Sequence, residues 1–309
     1  MEIDFYLKGS IIGFLIGDVL GYPYENLENL DEYHIEIIKT PEEDEVFGSW
    51  SFAGSSLLAV IDSIVELEDV DFEDIKQKIS DVICGGYLNP NTECKDFSET
   101  ITEAVNNINN GMPFDKSGIF VKENVSNESL FRVLPLSLFC LNDTVDDFIF
   151  KMHNVSLITH KNIESHIMCA LYGLIIKNII LQKNEKVTDL LLDFYKTKKM
   201  NDYYKATEEI IAYKGSNSLV GKKEIRNSFW TAWNCFIQNE DDYRQSVIKA
   251  VELGHDTNSI AAITGGFSGL TNGLNDIPKA WLNSIALDSY SMEIIQKFVD
   301  LVIQKNFVD

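Results

Sequence analysis

Glycines at positions 9, 13, 17 and 21 recur every fourth residue through an otherwise apolar run. On an α-helix, residues four apart stack on one face, so this helix carries a stripe without side chains. The stripe calls for close packing against a neighbouring helix in a soluble core. In a membrane the same spacing would favour helix pairing. The run is too short to span a bilayer, however, and it carries Asp18. Pro23 ends the helix and leaves Glu25 at its C-terminal mouth.

A second small-residue helix lies near the other end of the chain. Gly254, His255, Asp256, Thr257, Asn258 and Ser259 run into Ile260, Ala261, Ala262, Ile263, Thr264, Gly265 and Gly266. Oxygen side chains at a helix start can cap free N–H groups. Asp256 reads as that cap, with Asn258 and Ser259 as first-turn hydrogen-bonders. Such oxygens hold a hard cation only when enough of them are carboxylates, and here only Asp256 is one.

Helical periodicity extends through most of the chain. Leu57, Leu58, Ile61, Ile64 and Val65 share a stripe, as do Leu171, Leu174, Ile175, Asn178 and Ile179. No stretch alternates apolar and polar residues between turn pairs, so strands are few or absent. Residues 26–46 are acidic and read as an exposed connection. Nothing resembles an interdomain linker. With 309 residues and 45% apolar content, the expectation is one compact all-α domain over 1–309. It should hold roughly a dozen helices, with Gly9–Gly21 and Asp256–Leu270 at the centre.

The net charge of −22 argues against nucleic acid and against anionic membrane surfaces, both of which need basic patches. It keeps the surface soluble, and it could steer a protein partner with a basic surface. The five cysteines (Cys84, Cys94, Cys140, Cys169 and Cys235) form no Cys-x-x-Cys pair, so neither a disulfide framework nor a zinc site is indicated. No His-x-x-x-His or Glu-x-x-His pair with carboxylate support offers a replacement zinc or iron site. The N-terminus lacks a basic region and cleavage site, which points to the cytoplasm.

Four landmarks in order resemble the ADP-ribosylglycohydrolase family, which includes the ADP-ribosyl-dinitrogen reductase hydrolases. Gly17-Asp18-Val19-Leu20-Gly21 with Glu25 is similar to the family's opening Gly-Asp-x-x-Gly-x-x-x-Glu segment. Asn127 through Pro135 resembles its Asn-Gly-x-x-Met-Arg-Val-x-Pro segment, and Ser156 through His160 its Ser-x-x-Thr-His segment. Gly254 through Ala261 resembles its closing Gly-Gly-Asp-x-Asp-Thr-x-Ala segment. The resemblance implies a pocket formed by Asn127, Glu128, Ser129, His255 and Phe52. It also implies an architectural His160, an Arg132 that pairs with a buried carboxylate or a phosphate, and Glu25 and Asp256 as candidate catalytic residues.

The departures bear on the metal. The family's Trp-Thr-Asp-Asp-Thr segment supplies oxygen ligands to two magnesium ions. In the register set by Gly48 and Trp50, the matching residues are Ser51, Phe52, Ala53 and Gly54. The closing segment keeps Asp256 but has Asn258 and Ser259 where the family has aspartate and threonine. Three of four carboxylates are missing, and Mg²⁺ depends on such anionic oxygens, so no metal cofactor is expected. Glu128 and His255 replace glycines. Glu128 would set a negative charge against a diphosphate, which argues against ADP-ribose as a ligand. The expectation is a hydrolase scaffold that has lost di-magnesium chemistry and acts as a binding, regulatory or immunity-type protein. The alternative is an active hydrolase of an ADP-ribosyl or related N-glycosidic bond with an altered metal site. There Mg²⁺ would be retained, Glu25 would be the acid/base, and His255 would be a proton carrier.

Overall fold

The computed structural model describes residues 3–28, 30, 35, 38–40, 42–216 and 220–308, with backbone only for 214–216. Among them are fifteen α-helices, three short 3-10 turns and no strand beyond two isolated bridges. The all-α expectation therefore holds.

The centre is the pair that the glycine stripe calls for. The glycine helix (Ile3–Gly21) packs on the small-residue helix (Thr257–Asn272). An added Cβ on Gly9, Gly13 or Gly17 would lie 2.4, 2.5 or 2.1 Å from the carbonyl oxygen of Gly269, Gly265 or Ala261. Each step of four forward on one helix is a step of four backward on the other, so the two run antiparallel. Backbone touches backbone, and a side chain on either face would force them apart. The Tyr243 hydroxyl donates to Gly13 O at 2.7 Å, and Thr257 Oγ1 donates to Gly21 O at 2.8 Å. Those bonds satisfy carbonyls that the close approach would otherwise strand.

The antiparallel register decides where chemistry can occur. It sets the C-terminal mouth of the glycine helix, with Glu25 just beyond it, beside the N-terminus of the small-residue helix with Asp256 and Asn258. Around this pair lie the Phe52–Leu67, Val133–Phe139, Ile163–Ile180 and Ser289–Phe307 helices, all contributing to one apolar core. Ile163–Ile180 is long and apolar enough to cross a membrane by composition, yet 72% of it is buried within the fold.

The 26–46 connection differs from its reading as an exposed segment. Glu28, Glu42, Glu43 and Asp44 are exposed, but Leu30, Ile35 and Ile38 are buried. Apolar residues interspersed among the acids tie it to the core. Asp31, Glu32, Glu36 and Pro41 lie outside the described residues. The cysteines are all free, and only Cys84 is exposed.

Candidate functional site

Three loops converge on the start of the small-residue helix. Asp256 N donates to Gly221 O at 2.9 Å, and His255 N donates to Leu27 O at 2.7 Å. Asn127 N donates to Lys223 O at 3.1 Å, and Ile225 N to Val125 O at 2.8 Å. The segments at 25–27, 125–128 and 220–225 are thereby fixed to one another. Between them lies a cavity of about 80 Å³ lined by Asp96, Ser98, Asn127, Glu128, Lys223 and Asp256, among others. Asp96 also borders an outer, open cavity of about 310 Å³, where it meets Tyr22, Glu25, Glu42 and Lys95.

Asp256 stands at the N-cap position, but its side chain makes no cap hydrogen bond. This corrects its reading as a capping side chain. Its Oδ2 instead accepts from Asn127 Nδ2 at 2.5 Å and Ser228 Oγ at 3.3 Å. Burial pushes its pKa up to about 6. Asn258 Nδ2 donates to Asp96 Oδ2 at 2.7 Å. Asp256 Oδ1 and Asn258 Oδ1 are buried acceptors without a hydrogen-bond partner.

Glu25 is nearly buried, and its Oε1 lies 2.7 Å from Lys223 Nζ. Burial, reinforced by Asp256 and Asp96, outweighs that ammonium and raises its pKa to about 8. Lys223 feels the same group from the other side. Burial lowers its pKa, but Asp96 and Glu25 prevail and hold the ammonium charged.

The 51–54 segment is the first turn of the Phe52–Leu67 helix. Ser51 Oγ accepts from Ala53 N at 3.1 Å as a true cap. Asp18 reaches across from the glycine helix, and its Oδ2 accepts from Ser51 N at 3.1 Å and Gly54 N at 2.7 Å. Phe52 is fully buried against Phe97 and Phe131, at ring-centroid distances of 6.1 and 6.2 Å. Phe97 and Phe131 line the inner cavity; Phe52 stands behind them rather than in the pocket.

The expectation for Glu128 also needs correction. Its carboxylate is at the cavity wall but is not aimed at an empty ligand site. It accepts from Ser98 N at 2.7 Å, from Ser98 Oγ and from Ser126 Oγ at 2.8 Å. Ser98 is the N-cap residue of the Glu99–Asn109 helix, so Glu128 places its charge at that helix's N-terminus. Behind it runs a buried chain. Arg132 Nη2 donates to Thr159 Oγ1 at 2.5 Å, Thr159 Oγ1 meets His160 Nδ1 at 2.7 Å, and His160 Nε2 meets Ser126 Oγ at 2.8 Å. The bonds have one consistent direction if His160 is neutral with its proton on Nε2. Burial, with Arg132 nearby, keeps it neutral by lowering its pKa to about 3. Arg132 is thus fully buried on Thr159 and Val155 O, and among the described residues no carboxylate pairs with it.

Ser129 is fully buried away from the cavity, and its carbonyl accepts from Cys169 Sγ at 3.6 Å. His255 sits at φ +62°, the left-handed conformation that favours glycine, and contacts the 25–27 loop through its backbone. Its ring does not line the cavity. Ser259 does. Sequence reasoning missed Asp96 and Lys223. Both are loop charges among other charges, Asp96 after Lys95 and Lys223 between Lys222 and Glu224, with no motif to single them out, and only the fold brings them to Glu25.

The family model for ADP-ribosylglycohydrolase matches residues 6–306. The chain belongs to the ADP-ribosylglycohydrolase family. The ADP-ribosylarginine hydrolase Tri1 of Serratia proteamaculans is 23% identical over 318 residues, covering 97% of this chain and 80% of that one. An uncharacterized protein of Archaeoglobus fulgidus is 24% identical over 315 residues, covering 95% and 96%. A solved structure, an ADP-ribosylglycohydrolase-related protein complex, superposes with a TM-score of 0.75 at 18% identity. It covers 98% of this chain and 99% of that one, which shows a shared fold.

The residues do not fit a pair of magnesium ions. The 51–54 turn offers one hydroxyl, already capping the helix, and a buried phenyl ring. Among the described residues no three His, Cys, Asp or Glu side chains are grouped as ion ligands. Near-octahedral oxygen ligation has no counterpart here.

Proposed function

We propose that this ADP-ribosylglycohydrolase-family protein has lost two-magnesium hydrolysis and acts as a binding, regulatory or immunity-type protein. One observation carries the reading: Phe52 and Ala53 begin a helix where the family resemblance calls for two ligand aspartates, and the Phe52 ring is sealed against Phe97 and Phe131. The inner cavity is only about 80 Å³, and the adjoining open cavity at Glu25, about 310 Å³, only reaches the roughly 300 Å³ at which small-molecule pockets begin. The net charge of −22 suits a partner with a basic face.

Glu25 favours a second reading, that of a hydrolase with an altered site. A buried carboxyl with a pKa near 8 can hold a proton for a leaving group at neutral pH. The two readings part in one experiment. The protein is incubated with an ADP-ribosylated arginine peptide, with and without Mg²⁺, while ion binding is followed calorimetrically. We expect neither ADP-ribose release above buffer nor micromolar ion binding. Release that disappears in Glu25→Gln would establish the second reading.

A further inference from the structure

We infer that Lys223 is the site's built-in cation: its tethered ammonium holds together the carboxylates of Glu25, Asp96 and Asp256, a task that the family resemblance gives to bound metal. The inference rests on the metal-free reading above and adds what replaces the metal. Lys223 Nζ lies 2.7 Å from Glu25 Oε1 and 3.5 Å from Asp96 Oδ1. It shares the inner cavity with Asp256. Asp96 is turned toward it, because its other oxygen accepts from Asn258 Nδ2 at 2.7 Å.

The backbone that carries the half-exposed Lys223 side chain is fixed at the site. Lys223 O is bonded to Asn127 N, whose side chain holds Asp256, and Gly221 O is bonded to Asp256 N. The segment that carries the cation is therefore fastened to the residues that need it. Asp96 and Asp256 line the inner cavity and Glu25 stands at the adjoining outer one. Once Glu25 is ionised the three repel one another unless a cation intervenes, and that repulsion is part of what raises the Glu25 pKa. The partnerless, buried Asp256 Oδ1 and Asn258 Oδ1 independently mark the place as acceptor-rich and short of positive charge. An ammonium has three N–H donors and needs no convergent ligand shell, which suits carboxylates that are not grouped tightly enough to ligate an ion. It also adds no association cost, since the chain brings its own charge.

The test is thermal unfolding of the whole chain in MgCl2 or MnCl2 against NaCl at equal ionic strength. It compares the parent with Lys223→Arg, Lys223→Met and the double variant Lys223→Met/Glu25→Gln. The parent and Lys223→Arg should show no gain from divalent ions over sodium. Lys223→Met keeps the length and apolar stem but loses the charge. It should melt several degrees lower in NaCl, and Mg²⁺ or Mn²⁺ should not make good the loss, since the carboxylates are not grouped to ligate an ion. The double variant should regain stability, because one carboxylate is gone. If Lys223→Met melts like the parent, Lys223 is a surface lysine and the inference fails, while the metal-free reading survives. If the parent itself is stabilised by two divalent ions per chain, both fail. If Lys223→Met does not fold, the double variant decides: recovery supports the charge argument, and failure of both variants overturns it.

Discussion

Asp18 shows how a single buried residue can fasten two helices together. It lies in the middle of the glycine helix, fully buried, and spends one oxygen on two N–H groups of the next helix. Burial is the stronger influence and raises its pKa from 3.8 to about 7. The native state therefore holds a proton that the unfolded chain has released above about pH 4. Its contribution to stability is complete below that point and is lost as pH rises toward 7. The slope approaches about 1.4 kcal/mol per pH unit for one proton. Asp18→Asn keeps an acceptor for Ser51 and Gly54 but cannot titrate. Urea unfolding at pH 4.5, 6 and 8 should show the variant gaining on the parent as pH rises; a constant gap between the two would refute the assignment. Glu128 is a second case. Glu128→Ala leaves the Ser98 and Ser126 donors unmet and should cost roughly 2–4 kcal/mol, with Glu128→Gln intermediate. A melting temperature unchanged in both would mean that Ser98 finds water as readily as carboxylate. At this scale the sequence was least legible. Asp256 stands at a helix start without capping it, and Arg132 uses a hydroxyl and a carbonyl rather than a carboxylate. Side-chain partners depend on contacts 20 to 130 positions away, such as Asn127 with Asp256, and no local pattern encodes them.

The helix pair at the centre was legible because its cause is local. Glycine every fourth residue leaves a bare face, a second helix of small residues supplies the match, and helical periodicity elsewhere leaves little room for strands. The register could not be read from spacing alone; it follows from Gly9, Gly13 and Gly17 meeting the carbonyls of Gly269, Gly265 and Ala261. Gly17→Ala places a methyl 2.1 Å from the Ala261 carbonyl oxygen. No flexible side chain can yield there, so the helices must separate, at a cost of about 3 kcal/mol or more. Gly85→Ala is the matched control. A Cβ at Gly85, the last residue of its helix, meets nothing within 4 Å, and the change should stabilise by about 0.5 kcal/mol through the unfolded chain. Denaturant unfolding of the two variants should move in opposite directions. Equal effects would mean that the stripe is not the tight contact described. The 26–46 connection was misread for a related reason. Its acids dominate composition, but Leu30, Ile35 and Ile38, spaced through it, anchor it to the core.

Over the whole molecule the dominant fact is charge. The chain carries 48 acidic side chains against 26 basic ones. Several lysines are held in local pairs, such as Lys78 with Asp62 and Glu66, or Lys151 with Asp143. Such pairs leave the acidic excess on the remaining surface unneutralised. Self-repulsion of that excess works against the compact state. The Debye length falls from about 30 Å at 0.01 M salt to about 8 Å at 0.15 M, so salt should relieve repulsion across the molecule while hardly touching the half-buried site. The melting temperature should therefore rise by a few degrees between those two NaCl concentrations. Lys223→Arg should rise in parallel with the parent, since the site charge is unchanged. The same field bears on the proposed role. A basic partner should bind faster and more tightly at low salt, chiefly through its association rate, whereas ADP-ribose, itself an anion, should gain nothing from dilution. A melting temperature that stays flat or falls with added NaCl would show that the acidic surface is spaced widely enough not to repel itself, and would remove the electrostatic argument for a basic partner.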